Sequence, residues 1–208
     1  MDSVKADNFS QFLGANLLPE QKTEIVRKAI HLLIAFIPSM AAINKPITVF
    51  FLIAGTLGYT YMEGLRLSGV KIPIISSLTG MASRPRDAGH FVMGPVTLGL
   101  GVLLALLLYP SPAAAIAIYA LAFGDGFAGL VGKFFGKNKP AFLCGKSVEG
   151  SLACFTAVFI SAYGVSRNVL VALAAAITAM AVEALPLDDY DNLALPVSVG
   201  LVVQFAMM

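Results

Sequence analysis

The chain has 208 residues, 58% of them hydrophobic and only 12% charged, where a soluble domain carries about 25% charged residues. This balance excludes an ordinary soluble domain and predicts an all-α polytopic membrane protein, a single domain over residues 1–208 with 1–24 as a polar cytoplasmic segment. The formal charge of +2 decides little by itself, because in a membrane the placement of charge matters more than its sum, and no nucleic-acid partner is expected.

In chain order, the N-terminal residues up to Glu20 hold Asp2, Asp7 and several polar residues. They lack the basic and apolar regions of a signal peptide, so the first membrane helix is expected to serve as its own signal. A hydrocarbon core of about 30 Å needs roughly 17–25 helical residues. Seven apolar segments approach that length: about 26–43, 47–64, 91–109, 112–134, 150–165, 168–186 and 193–208. Pro38 is expected to kink the first, and Pro110 with Pro112 to mark the turn between the third and fourth. The two cysteines, Cys144 and Cys154, match no metal-ligand spacing and read as free thiols.

With the N-terminus cytoplasmic, Lys5, Lys22, Arg27, Lys28, Arg66, Lys71, Arg84, Arg86, Lys133, Lys137, Lys139 and Lys146 all fall on the inner side, twelve of the fourteen basic residues. Lys45 and Arg167 fall outside, so the positive-inside bias sets the orientation. All twelve acidic residues fall on or near the same inner side. Both signs of charge on one face and almost none on the other suit chemistry on a polar cytosolic molecule. A channel would instead line a route across the whole bilayer.

The charges centre on Phe123-Gly-Asp-Gly-Phe-Ala-Gly-Leu-Val-Gly-Lys133. Asp125 lies about thirteen residues into its span, about 20 Å from the outer end at about 1.5 Å per residue. A carboxylate at that depth is a functional-site hypothesis: a magnesium ligand or general base on one reading, a lysine-paired helix tie on the other. Gly124 and Gly126 flank it and would allow close approach of a ligand or of another backbone. Gly129, Gly132 and Gly136 serve helix packing as readily. Lys133, Lys137, Lys139 and Lys146 are topology determinants or, with the glycines and Ser147, a polyphosphate cradle. Gly145-Lys146-Ser147 imitates the end of a P-loop, but Pro140 stands where that motif needs its first glycine, and a P-loop is rejected.

Glu149, Glu183, Asp188, Asp189, Asp191 and Asn192 gather carboxylates beside those lysines, a composition suited to a metal–triphosphate complex; Asp191 and Asn192 read equally as a helix start. Arg27 and His31 share a helix face, with Lys28 to one side. Glu63 and Arg66 are spaced to pair, and Arg84, Arg86 and His90 are anchors or phosphate contacts.

Taken together, Arg27-Lys-x-x-His31, Glu63-x-x-Arg66, Phe123-Gly-Asp-Gly-x-Ala-x-x-x-Gly-Lys133, Phe135-Gly-Lys137, Lys146-Ser-x-Glu-Gly-Ser-Leu-Ala153, Glu183 and Asp191-Asn-Leu-x-x-Pro196 resemble the CTP-dependent lipid-alcohol kinases: dolichol and polyprenol kinase, phytol kinase and CTP-dependent diacylglycerol kinase. The resemblance runs from about residue 24 to the C-terminus and is most specific over 123–153, where Gly124-Asp-Gly126 looks closer to the phytol kinase form. It implies transfer of the γ-phosphate of CTP to a membrane lipid alcohol with magnesium or another divalent cation. It further implies a minimal, bacterial-type member in an inner membrane, its site facing the cytosol.

By the same resemblance, Asp125 would be metal ligand or base, and Glu149 and Asp191 further metal or positioning groups. Lys133, Lys137 and Lys146 would bind phosphates, with Gly124, Gly126, Gly132, Ser147, Asn192, Arg27, Lys28 and His31 completing the nucleotide site. Two other readings compete. A cytidylyltransferase would use the same triphosphate site but release pyrophosphate, and a small-solute or ion transporter would need charge deep in the outer half.

Overall fold

Each apolar run folds as helix, and the breaks fall where the side chains remove or recapture a backbone hydrogen bond. The computed structural model describes residues 18–70, 72, 73, 79, 83, 84, 87 and 89–208. Asp2, Lys5, Asp7, Lys71 and Arg86, whose charges entered the sequence reading, lie outside the described residues.

Helix α1 spans Pro19–Leu33, with the proline in the first turn, where its missing N–H costs nothing. A 3₁₀ turn, Ile34–Phe36, leads into α2, Ile37–Leu67. The turn has a direct cause: Pro38 offers no N–H to the carbonyl of Ile34, and the N–H of Ile37 bonds that carbonyl instead. The larger break comes at Asn44, whose φ of −154° and ψ of 95° are not helical. Its Oδ1 accepts the N–H of Ile47 at 3.0 Å, so Asn44 is the N-cap of a new helix. The first two expected segments are therefore separate helical arms that meet at residue 44.

Helix α3, Gly94–Leu108, is followed by the proline turn around Pro110 and Pro112. Then α4, Ala113–Tyr119, passes through a π-helical turn, Ala120–Asp125, into α5, Gly126–Phe135. Helix α6, Val148–Ser166, starts at Ser147, and α7, Val169–Glu183, starts at Asn168, each side chain capping its own helix. Helix α8 covers Asp191–Ala206. All regular structure among the described residues is helical, and each expected segment falls mainly on helix, although the first helix begins at Pro19, seven residues before the expected 26.

Among the described residues, three helical stretches are long and apolar enough to cross a membrane: Glu20–Leu67, Ala113–Phe135 and Val148–Ser166. Gly94–Leu108 and Val169–Glu183 are apolar but shorter. The α4–α5 stretch is innermost, with Ile116, Ile118 and Leu121 fully buried, and α1, α3, α6 and α8 pack around it. Ala172, Ala175, Ala176 and Ala179 of α7 are fully buried, small enough to let α6 and α8 lie close. Phe36, Ile43, Phe50, Phe51 and Leu57 point outward from the two arms, an apolar exterior of the kind that faces lipid.

The ends of the bundle differ in charge. Lys45 shares one end with Tyr109 and Ser111 around a cavity of about 100 Å³, whereas Arg27, His31, Asp87 and Asp189 meet at the other. The two arms are therefore antiparallel. At the charged end Glu63 is fully buried and receives Arg66 through two 2.8 Å bonds. Glu63 Oε1 also accepts the N–H of Val92 at 3.0 Å, while Arg66 donates to the carbonyl of His90 at 3.0 Å. The pairing expected from the three-residue spacing thus ties the connection after α2 back onto the helix.

Candidate functional site

Asp125 closes the π-helical turn between α4 and α5 and is 5% exposed. A π turn shifts the register of the side chains that follow it, and such turns recur at functional sites. Lys28 Nζ lies 2.6 Å from Asp125 Oδ2. His31 Nδ1 lies 2.9 Å from the same oxygen, close enough to pair although off the axis of a regular hydrogen bond.

Arg27 and His31 line a small cavity together, as their spacing predicts, while Lys28 joins His31 at Asp125 from three residues before it. Arg27 also pairs with Glu24 at 2.7 Å. The approach of Lys28 depends on Gly129: a Cβ there would stand 2.2 Å from Lys28 Cε. The sequence leaves Gly129 open between helix packing and a ligand cradle; what it admits is the lysine that reaches Asp125.

Above this pair opens a cavity of about 360 Å³. Its cations are Lys28, Arg84, Lys133, Lys139 and Lys146, and its carboxylates are Glu24, Asp125, Glu183, Asp188 and Asp191. Gly129, Gly132, Gly145, Gly150, Ser147 and Cys144 complete the wall. The loop between α5 and α6 turns through left-handed backbone at Cys144 (φ 50°) and Gly145 (φ 90°), which brings Lys146 inward. Lys146 Nζ lies 3.1 Å from Glu183 Oε1 and also bonds the Glu183 carbonyl. Ser151 donates to the other Glu183 oxygen at 3.2 Å. Lys133, more exposed, meets Glu20 at 2.8 Å, and Arg84 stands 3.7 Å from Asp189.

Several expected site residues lie elsewhere. Gly124 and Gly126 are buried away from the cavity. A Cβ at Gly124 would sit 2.7 Å from Val158 Cγ2, and one at Gly126 would sit 3.4 Å from Leu32, so these glycines admit neighbouring helices and not a ligand. Ser147 lines the cavity, but its Oγ accepts the N–H of Gly150 at 3.1 Å and it packs on Gly132 and Gly136. Glu149 accepts the N–H of Asn138 at 3.2 and 3.3 Å and does not join Asp125 and Asp191, because its carboxylate holds the loop ahead of α6. Lys137 also stays outside the cavity lining. Asn192 donates to Thr97 Oγ1 at 3.0 Å and is buried against α3. Lys139 enters the cavity as one of the four lysines of the expected cradle, and Glu24 enters it although it stood in no expected ligand set; Glu24 lies one turn before Lys28, which is the signal that would have found it.

Asp191 lines the cavity half-buried and makes no direct ion pair or side-chain hydrogen bond with the described residues. Burial, with the Asp125 charge adding to it, pushes its carboxyl from an ordinary 3.8 up to about 7. Two carboxylates that repel across one cavity leave room for a cation. Among the described residues no three acidic, histidine or cysteine side chains stand close enough to hold a metal by themselves. Magnesium needs only one or two carboxylates when phosphate oxygens complete its shell, and Asp191 with Asp125 meets that requirement; Glu149 does not.

No family model matches the chain, and no solved structure matches it. Among curated proteins it is similar to the probable phytol kinase 3, chloroplastic, of Glycine max, at 32% identity over 56% of this chain and 42% of the relative. The probable phytol kinase, chloroplastic, of Triticum aestivum is 26% identical over 96% of this chain and 74% of its own length. The probable phytol kinase 1, chloroplastic, of Oryza sativa subsp. japonica is 26% identical over 62% of the chain and 47% of its own. The match thus spans less than half of the soybean and rice proteins. The names of these relatives lend no support to the expected bacterial inner membrane.

Proposed function

We propose that this relative of the plant phytol kinases is an integral membrane kinase that transfers the γ-phosphate of CTP to the hydroxyl of a lipid alcohol. In this reading the chain crosses the bilayer seven times, and the N-terminus and the charged end of the bundle face the cytosol. The observation that carries the reading is the cavity itself: five cations and five carboxylates around one space at one end of an apolar bundle.

Lys133, Lys139 and Lys146 act as point charges on the phosphate oxygens. The Lys133–Glu20 contact is exposed, and a pair of that kind is worth about 0–1 kcal/mol, so a triphosphate exchanges for it readily. Lys28 and His31 hold Asp125 through Oδ2, which leaves Oδ1 to accept the acceptor hydroxyl's hydrogen. Asp191 and the phosphates would hold magnesium, which when bound neutralises charge on the transferring group. The acceptor oxygen bonds to the γ-phosphorus, and the bond from that phosphorus to the β–γ bridging oxygen breaks. CDP leaves, and the hydroxyl proton passes to Asp125 Oδ1.

The test crosses a panel of γ-labelled nucleoside triphosphates with diacylglycerol, polyprenol, farnesol and phytol, using purified protein. Label in the lipid with release of CDP is expected. With phosphatidate added to the panel, release of labelled pyrophosphate and formation of an unlabelled CDP-lipid would overturn the kinase reading in favour of a cytidylyltransferase.

A further inference from the structure

A second, smaller cavity of about 30 Å³ adjoins the first. Ile30, Val92, Pro95 and Leu98 form its apolar wall, and His31 and Asp189 are among its polar lining. Two contacts bridge the cavities. His31 lines the second and stands 2.9 Å from Asp125, which lines the first; Asp189 lines the second and stands 3.7 Å from Arg84, which lines the first. The second cavity lies where the charged helix α1 passes the start of the apolar helix α3, and not among the lysine loops.

We infer that the lipid alcohol approaches through this second cavity, its hydroxyl end passing His31 to reach Asp125, so that donor and acceptor meet at the Asp125–His31 contact from different sides; the inference rests on the kinase reading above. Phosphoryl transfer needs the attacking and leaving oxygens roughly in line through the γ-phosphorus, and a donor and acceptor sharing one entrance would both lie on the same side of it. An apolar tail in the larger cavity would lie among ten charged side chains, stripping water from them without replacing its hydrogen bonds. The smaller cavity sets four apolar side chains beside a polar group of Arg27, His31, Asp87 and Asp189 instead. At about 30 Å³ it has less than a tenth of the room of the first cavity, about 360 Å³. It therefore takes a slim hydroxymethyl end and turns away a head group bearing further polar substituents.

Two measurements test the inference. The first uses a long-chain primary alcohol carrying a diazirine near its hydroxyl, photolysed with the full-length protein in detergent. Labelling is expected at Ile30 and within 92–98, and it should be competed by unlabelled alcohol. Competed labelling on the outward face of α2, at Phe50, Phe51 or Leu57, or none that competes, would overturn it.

The second fills the cavity. Gly94 lines it, and a Cβ there meets nothing within 4 Å, so Gly94→Leu adds bulk without a clash at the backbone; Ile30→Trp, at a half-buried site, is the companion. Each should raise the KM for the alcohol about tenfold or more, in the range that small changes of pocket shape produce. The KM for CTP and the protection of Cys144 from alkylation by nucleotide should stay unchanged. An unchanged alcohol KM in both variants would overturn the inference. If competed crosslinking maps here but no triphosphate is ever consumed, the kinase reading fails and the alcohol site stands. Turnover with crosslinking mapped elsewhere has the opposite meaning.

Discussion

Asp125 is held by two side chains that lie nearly a hundred positions earlier in the chain, and its chemistry depends on both. Asp125→Asn keeps the shape of the group but removes its charge and its ability to take a proton; a lost general base typically costs about 10²–10⁴ in rate. A fall in kcat of that size with CTP and lipid alcohol is expected, and near-normal turnover would remove Asp125 from the mechanism. Asp191 makes a prediction that needs no turnover. Its folded pKa of about 7 lies above the ordinary 3.8, so the protein without metal loses stability as pH rises from about 4 through 7, where the folded state alone still holds the proton. Magnesium binds the ionised form and relieves this cost. It should therefore raise the melting temperature more at pH 8 than at pH 5.5, and Asp191→Asn should abolish the difference. An equal rise at both pH values would remove Asp191 from the metal site.

At the scale of the element, the buried Glu63 links α2 to the connection that carries Arg84. Its two oxygens serve Arg66 and the N–H of Val92. Glu63→Ala leaves a guanidinium and an amide without their acceptor; breaking a buried pair costs about 3–5 kcal/mol, and the quarter-exposed Arg66 side chain puts this case at the lower end. A clear drop in melting temperature in detergent is expected, with lost nucleotide protection of Cys144 if Arg84 is displaced. No drop would mean that the connection is held by other contacts.

The proline breaks were legible because the ring acts on its own neighbours, as Pro38 does on Ile34; the caps of Asn44 on Ile47 and Ser147 on Gly150 are as local, but the sequence reading did not single them out. The glycines were not legible in this way. Gly124, Gly126, Gly129 and Gly132 look alike in sequence, yet one admits Val158, one Leu32, one the side chain of Lys28, and one packs on Ser147 at the cavity wall. What a missing Cβ admits is decided by the facing element.

Among the described residues most of the charge gathers at one end of the bundle, and the proposed orientation places that end in the cytosol. Cys144 reports on this directly: it is exposed in the cavity wall, whereas Cys154 is fully buried. In sealed, right-side-out vesicles a membrane-impermeant maleimide should leave Cys144 unlabelled until the membrane is opened, and labelling before then would reverse the topology.

The sequence by itself determined the helical class, the proline breaks and the segregation of charge, because hydrophobicity and proline act locally and need no partner across the chain. Only the tertiary structure decided which carboxylates meet. It gave Asp125 to Lys28 and His31, gave Glu183 to Lys146, left Asp191 open to the cavity, and turned Glu149 onto the backbone of Asn138. An ion pair forms where helix packing brings two charges within a few ångströms, and that distance is set by every interface between them.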